Sequence, residues 1–192
     1  MQVKKRDGTL EDLNIDKLHK VVQYACEDIS GVSASQVEIN SNIQFYDGIA
    51  SEDVQETLIK SAADLISEET PNYQYVAGRL INYHLRKQVY GTFTPPCLCD
   101  IIQDNIDKGF YDAEFTDLYT KEDINELNDY LNHERDEVLT YAAMEQFRGK
   151  YLVQNRSTGE IFETPQVAYM MISATLFSKY PAETRMSYVK AY

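Results

Sequence analysis

No stretch of this sequence stays apolar for long enough to cross a bilayer, and Met1 to Arg6 run straight into a polar turn without the apolar core of a secretory signal. A cytoplasmic protein without a membrane partner is the expectation. Basic residues are scarce as well. Eighteen against 31 acidic residues give a formal net charge of −13, which repels nucleic-acid backbones and excludes a duplex partner from the expectation. Cysteine is limited to Cys26, Cys97 and Cys99, an odd count without a CxxC pair, so neither a disulfide framework nor a zinc ribbon is expected. Reduced thiols are the simplest reading. Cys97-Leu98-Cys99 offers two soft ligands, but no second His/Cys cluster lies nearby, so no metal site is assigned. Missing too are GxSxG, HExxH, a P-loop and a Rossmann glycine fingerprint. No catalytic residue is therefore assigned, and a site on this chain is expected to bind rather than to transform.

What is present suffices for one or two packed domains: 192 residues, 43% apolar and 26% charged. Val3 to Arg6 and Leu10 to Leu13 flank Asp7-Gly8, a strong hairpin signal because the tight turn needs positive φ. Asn14 suits an N-cap, Asp16 falls in a first turn, and Leu18, Val21, Val22 and Ala25 recur with helical spacing toward a stop near Gly31. Ser33 with Gln36, or Ser35 with Glu38, has capping-box spacing for a short second helix carrying Val37 and Ile43 and stopping at Asp47-Gly48. Ser51 with Glu52 and Asp53 opens a third, whose stripe Val54, Leu58, Ala62, Leu65, Ile66 runs to about Glu69 before Pro71. A fourth spans Asn72 to Gln88, with Val76, Leu80 and Leu85, and places Arg86 and Lys87 in its last turn before Gly91.

Thr94-Pro95-Pro96 is the expected boundary between a first domain, 1–91, and a second, 92–192. Helical patterns follow around Leu98 to Ile106, Leu127 to Leu131, Val138 to Phe147, Gln166 to Ser178 and Pro181 to Tyr192, and Tyr151 to Val153 with Glu160 to Phe162 reads as a second hairpin. The fold class is mainly α.

His19, His84 and His133 lie far apart and read as surface or capping residues, and a Cys26/His19 pair seven residues apart carries little weight. The basic residues of the first domain are more informative. Lys4, Lys5 and Arg6 on the opening strand, with Lys17 and Lys20 near a helix start, could converge on a polyphosphate beside free helix amides. Spacing alone favours solvated surface charge.

The residues that resolve this form recognisable strings. Val3-Lys4-Lys5-Arg6-Asp7-Gly8, Glu11 to Lys17, Asn42 to Gly48, Pro71 to Ala77 and Leu85-Arg86-Lys87 closely resemble the ATP-cone of ribonucleotide reductases. His133 to Asp136, Lys150 to Arg156 and Thr158 to Ile161 resemble the helical segment that joins the cone to the catalytic barrel in large subunits of the aerobic class Ia type. The resemblance implies a four-helix cone capped by a small β-hairpin, then a helical segment with one hairpin. It also implies ATP as activating and dATP as inhibiting effector, taken up with Mg²⁺. Carried across position by position, Lys5 and the run Glu11, Asp12, Leu13, Asn14, Ile15, Asp16, Lys17 match the nucleotide-binding positions. Lys17 and Lys87 are then expected near phosphates, and Glu11 and Asn14 near base or sugar. Ser51 stands where Thr is common. Gln55 replaces a His common in relatives close to the ribose, which puts discrimination between ATP and dATP in question.

The resemblance further implies partners: the remainder of a large subunit, covalently or in trans, a radical-generating small subunit, and homo-oligomerisation. The radical cysteine and redox-active cysteine pair of the family have no counterpart in these 192 residues, so the chain is expected to be inactive alone although it belongs with an oxidoreductase. A fragment and a piece of a split subunit both fit. The rivals are a free-standing cone acting as a nucleotide sensor and a structural remnant that no longer binds.

Overall fold

The computed structural model describes residues 1–5, 8–42 and 44–192; Arg6, Asp7 and Ile43, named above for the opening hairpin, the basic cluster and the second helix, lie outside the described residues. The packing divides the chain into two compact units, Met1–His84 with Glu137–Glu145, and Leu85–Asp136 with Gln146–Tyr192. Among the described residues no helix is long and apolar enough to cross a membrane.

The first unit opens with β1 (Gln2–Lys4) and β2 (Leu10–Asp12), antiparallel with Val3 opposite Glu11. Gly8, at φ 85°, donates its amide to the Lys5 carbonyl at 2.9 Å and supplies the positive φ the turn requires. The first helix, α1 (Ile15–Cys26), is capped by Asn14, whose Oδ1 accepts from the Lys17 amide at 2.8 Å. Leu18, Val21, Val22 and Ala25 form its buried face, as their spacing predicts.

The second helix, α2 (Ala34–Asn42), starts by a different device from the capping box its sequence offers. The buried Tyr73 hydroxyl accepts from the Ser33 amide at 2.9 Å and donates to Gln36 Oε1 at 2.6 Å. One long-range phenol thus occupies both Gln36 and the amide that Gln36 would have capped. A short strand, β3 (Ile49–Ala50), adds to β1 in parallel and gives the sheet order β2-β1-β3.

This strand feeds directly into α3 (Ser51–Ala63), so Ser51 is the first helical residue, and Ala50 at the cap position offers no side-chain hydrogen bond. The helix stops at Ala63, short of the expected Glu69. Leu65 and Ile66 continue the apolar period, but their amides bond to Ala62 and Ala63 in tight turns, and Thr70 Oγ1 donates to the Leu65 carbonyl at 2.7 Å. The fourth helix, α4 (Tyr73–Tyr90), buries Val76, Ala77, Leu80 and Ile81 in this unit. Residues 137–145 lie against it because Gly78 has no side chain: a Cβ there would stand 2.1 Å from the Leu139 carbonyl oxygen. Arg79 Nε donates to the Glu137 carbonyl at 3.3 Å, and Tyr24 donates its hydroxyl to the Glu137 carboxylate.

The second unit is built from α5 (Leu98–Asp107), α6 (Phe115–Leu118), α7 (Lys121–Tyr130), α9 (Pro165–Phe177) and α10 (Ala182–Ala191). In sequence, a 3₁₀ turn at His133–Val138, a short α8 (Tyr141–Gln146) and a π-helical turn at Phe147–Tyr151 separate α7 from α9, with Glu137–Glu145 belonging to the first unit. Val138 therefore precedes α8 rather than opening it. The second hairpin is reduced to a single bridge, Gln154 with Ile161, flanked by Asn155 N to Glu160 O at 2.8 Å and Phe162 N to Val153 O at 3.0 Å. Leu98, Ile101, Ile102, Phe115, Leu127, Val167, Met171 and Val189 form the core. A capping box starts α7, with Thr120 and Asp123 each accepting from the other's amide. Asp123 also holds Arg185 at 3.1 Å, and that guanidinium lies 4.2 Å from the centre of the Tyr119 ring.

Two expectations are corrected here. Cys97 and Cys99 are joined as a disulfide instead of standing as reduced thiols, because two side chains at the start of α5 come close enough to bond despite a spacing outside the usual patterns. Arg86, placed by sequence at a helix end as a dipole-compensating cation, is only 4% exposed. It donates to the His133 carbonyl at 2.6 Å and lies over the Phe93 ring at 5.0 Å.

Candidate functional site

The first unit holds a small cavity of about 100 Å³, open on one side. Its floor is apolar: Val3, Leu18, Val21 and Val54 are each at most 7% exposed. Its rim is mostly polar and comes from five places in the chain. Lys5 follows β1, Glu11 and Asp12 belong to β2, Leu13, Asn14 and Lys17 form the entry to α1, Ser51 and Gln55 are one turn apart at the start of α3, and Tyr83 comes from α4.

Each contribution has a local cause. Alternation along the opening strand sends Val3 and Lys5 to one face and Lys4 to the other, so Lys5 lines the cavity and Lys4 does not. Lys5 Nζ and Glu11 Oε1 meet at 2.5 Å across the hairpin, with both side chains partly in solvent. The Asn14 cap fixes the first turn of α1 and holds Lys17 one turn inward, next to Leu18 and Val21. The start of α3 brings backbone amides without a side-chain cap, beside the hydroxyl-bearing Ser51. Two cationic side chains, two carboxylates, amide and hydroxyl donors and one phenol thus surround an apolar floor. That set can bind a ligand having both an anionic end and an apolar part, with the cations and the start of α3 suited to the anion.

Of the residues singled out from sequence, the fold brings Lys5, Glu11, Asp12, Leu13, Asn14, Lys17, Ser51 and Gln55 to this cavity. Ile15, 69% exposed, and Asp16 point elsewhere on α1 and do not line it. Lys87 lies one helical turn beyond Tyr83 on α4, within the second unit, and is not among the lining residues. Lys20 lines a separate depression with Tyr24 and Cys26. Tyr83 was not anticipated; burial raises its phenol above the ordinary range. Nothing local marks it, since it stands 66 residues beyond Lys17 among several tyrosines of one helix.

Neither member of the Cys26/His19 pair is set up as a nucleophile or its base. His19 Nδ1 is engaged 2.5 Å from Glu38 Oε1, and burial pushes the Cys26 thiol up to about 11, with Arg79 opposing the shift, so it stays protonated at neutral pH. His84 is buried, 3% exposed and 3.5 Å from Glu56, rather than on the surface. Burial, with help from Arg86, holds His133 down at about 4. Cys97, Cys99 and Asp100 place their ligand-type atoms within 4.8 Å of one another, but sulfurs bonded to each other present no thiolate to a metal.

Residues 1–88 match the ATP cone domain family. Over 192 residues the chain is 51% identical to ribonucleoside-diphosphate reductase subunit alpha of Haemophilus influenzae, covering all of this chain and 25% of that protein. It is 50% identical over 190 residues to ribonucleoside-diphosphate reductase 1 subunit alpha of Escherichia coli, covering 99% of this chain and again 25% of the relative. With the corresponding subunit of Enterobacteria phage T4 the identity is 38% over 194 residues, with 25% of that protein covered. The chain thus spans about a quarter of the length of these relatives.

Proposed function

Since residues 1–88 are an ATP-cone domain and the chain as a whole corresponds to the N-terminal part of ribonucleoside-diphosphate reductase alpha subunits, we propose that it senses ATP and dATP as the allosteric portion of such a reductase. The observation that carries this reading is the cavity itself, where Lys5, Lys17, the start of α3 and the apolar floor meet in one place. Lys5, Lys17 and the α3 amides take the phosphates, and Glu11 and Asn14 face the sugar or base. Gln55, whose amide can donate and accept, reads the ribose. Lys87 is assigned to the phosphates as well, on the resemblance of Leu85-Arg86-Lys87 alone. Magnesium arrives with the triphosphate, and Glu11 and Asp12 supply oxygen donors of the kind it prefers.

Binding regulates by preference. An effector that binds one arrangement of a larger assembly more tightly draws the assembly toward it, by no more than that difference in affinity. ATP then favours an active reductase and dATP an inactive one, with the remainder of the large subunit and a radical-generating small subunit as partners, in a homo-oligomer. Ribonucleotide reduction belongs to that assembly, and residues 92–192 are its helical connecting domain.

Isothermal titration of the chain with ATP and with dATP in magnesium tests the reading. Micromolar affinity for both nucleotides, weakened on replacing Lys17 by Ala, supports it. Absence of heat and of any thermal shift with either would leave the cone a structural remnant.

A further inference from the structure

The nucleotide reading uses none of the three cysteines, and the fold joins two of them, Cys97 and Cys99, at the start of a helix. Their environments differ in a way that gives the bond a direction. Cys97 is half-buried at the cap of the ten-residue α5, where its Sγ accepts from the Asp100 amide at 3.4 Å. Cys99 is exposed, and its Sγ lies 3.7 Å from the Asp100 carboxylate. The Asp100 carboxylate lies within 4.8 Å of both sulfurs, but negative charge on Cys97 is met in addition by an amide at 3.4 Å and the positive end of α5, while Cys99 has that carboxylate at 3.7 Å.

We propose that Cys97 and Cys99 form a reversible thiol–disulfide site that exchanges two electrons with small thiols from solution. An external thiolate attacks the exposed Cys99 sulfur, the S–S bond breaks, and Cys97 leaves as a thiolate stabilised by the Asp100 amide. A second external thiolate attacks the external sulfur of the mixed disulfide and releases Cys99, which takes a proton from water. One protein disulfide becomes two cysteine sulfurs, and two external thiols become one external disulfide. In reverse, Cys99, having given up its proton, attacks an external disulfide and releases one external thiolate; the Cys97 thiolate then attacks the Cys99 sulfur of the mixed disulfide, reforms the S–S bond and releases the second. Cys26 is a control within the same chain, since burial pushes that thiol up to about 11 and keeps it protonated at neutral pH. The site stands independently of nucleotide binding.

The full chain would be equilibrated in glutathione buffers of graded poise, quenched in acid, unfolded and alkylated, with each cysteine read by peptide mass spectrometry. Cys97 and Cys99 are expected to convert together in one two-electron step while Cys26 remains a thiol at every poise. The proposal is overturned if the two cysteines fail to pair with each other even in excess oxidised glutathione, or if their bond survives excess dithiothreitol in the folded chain. In the reduced chain, alkylation of Cys97 at neutral pH should outpace that of Cys26 by more than about tenfold, and Cys99→Ser should retain that rate. A Cys97 no faster than Cys26 also overturns it. Should Cys99→Ser fail to fold, the titration of the unaltered chain decides alone.

Discussion

In the first unit Lys5 and Glu11 meet at the rim of a cavity, 32% and 55% exposed, whereas in the second Glu163 is 3% exposed and its carboxylate accepts from the Tyr111 hydroxyl and, at 2.8 Å, from the Val153 amide. Arg86 in the second unit is likewise enclosed by the His133 carbonyl and the Phe93 ring. Exposed pairs contribute little to stability because water competes for both partners. Their side chains can therefore be turned toward a ligand at small cost. Enclosed groups behave oppositely, since losing one partner leaves a polar atom dry. The contrast is between these particular groups, since Lys108 with Asp104 is an exposed pair of the second unit and Arg79 with Glu137 a largely enclosed pair of the first.

The comparison is broken most severely where the first unit itself depends on a fixed contact. Gly78→Ala places a Cβ 2.1 Å from the Leu139 carbonyl oxygen, and backbone on both sides leaves no side chain to move away. A loss of about 3 kcal/mol in urea unfolding is expected. An unaltered midpoint would mean that residues 137–145 are not seated on α4. In the second unit, Tyr111→Phe removes a donor from the enclosed Glu163 carboxylate and should cost about 2 kcal/mol. Burial already holds that carboxyl above its ordinary range, so the folded form binds its proton more tightly than the unfolded chain does. Its contribution therefore falls as pH rises above the ordinary carboxyl range, and Tyr111→Phe should steepen that fall.

The ligand side of the comparison is sharpened by two lysines on one helix. Lys17 lines the cavity and Lys20, less than one turn on, lines another depression. Lys17→Ala should weaken ATP by about tenfold, the scale of one charge-assisted hydrogen bond, with little change in melting temperature. Lys20→Ala should leave the titration unchanged. Equal losses from both would point to diffuse attraction rather than a placed phosphate contact.

Much of the first unit's architecture was legible because its signals are local. Asn14 caps α1 from three residues away, and the buried face of that helix follows its own period. The mainly α class and the eight cavity-lining residues named in advance come from such local elements and from the resemblance of their strings. What escaped was set across long separations. Tyr73 replaces a capping box 37 to 40 residues away, Gly78 receives a segment about 60 residues later, and Tyr83 enters the cavity from a helix whose sequence marks none of its tyrosines. Arg86 had the signature of a solvated helix end, yet a carbonyl 47 residues on and a nearby ring enclose it. The disulfide escaped for the opposite reason, being closer in sequence than the patterns used to find one.

The smallest expected effect is in the second unit and runs opposite in sign to that of Glu163. His133 is held at about 4 by burial and by the neighbouring Arg86 charge, against an ordinary value of 6.5. Between those values the unfolded chain binds the proton and the folded chain does not, so acid favours unfolding. Stability from this group is complete above 6.5 and is lost as pH falls toward about 4. Because the ring is partly open to water, the loss should amount to about 1 kcal/mol after solvent screening. Urea midpoints at pH 7 and pH 4.5 measure it, with His133→Gln removing the titrating group. If the variant narrows the gap between the two midpoints, an enclosed histidine limits acid stability in the scaffold. If the gap is unchanged, the imidazole is as well hydrated as Lys5 and Glu11, and the contrast between the units does not extend to residue 133.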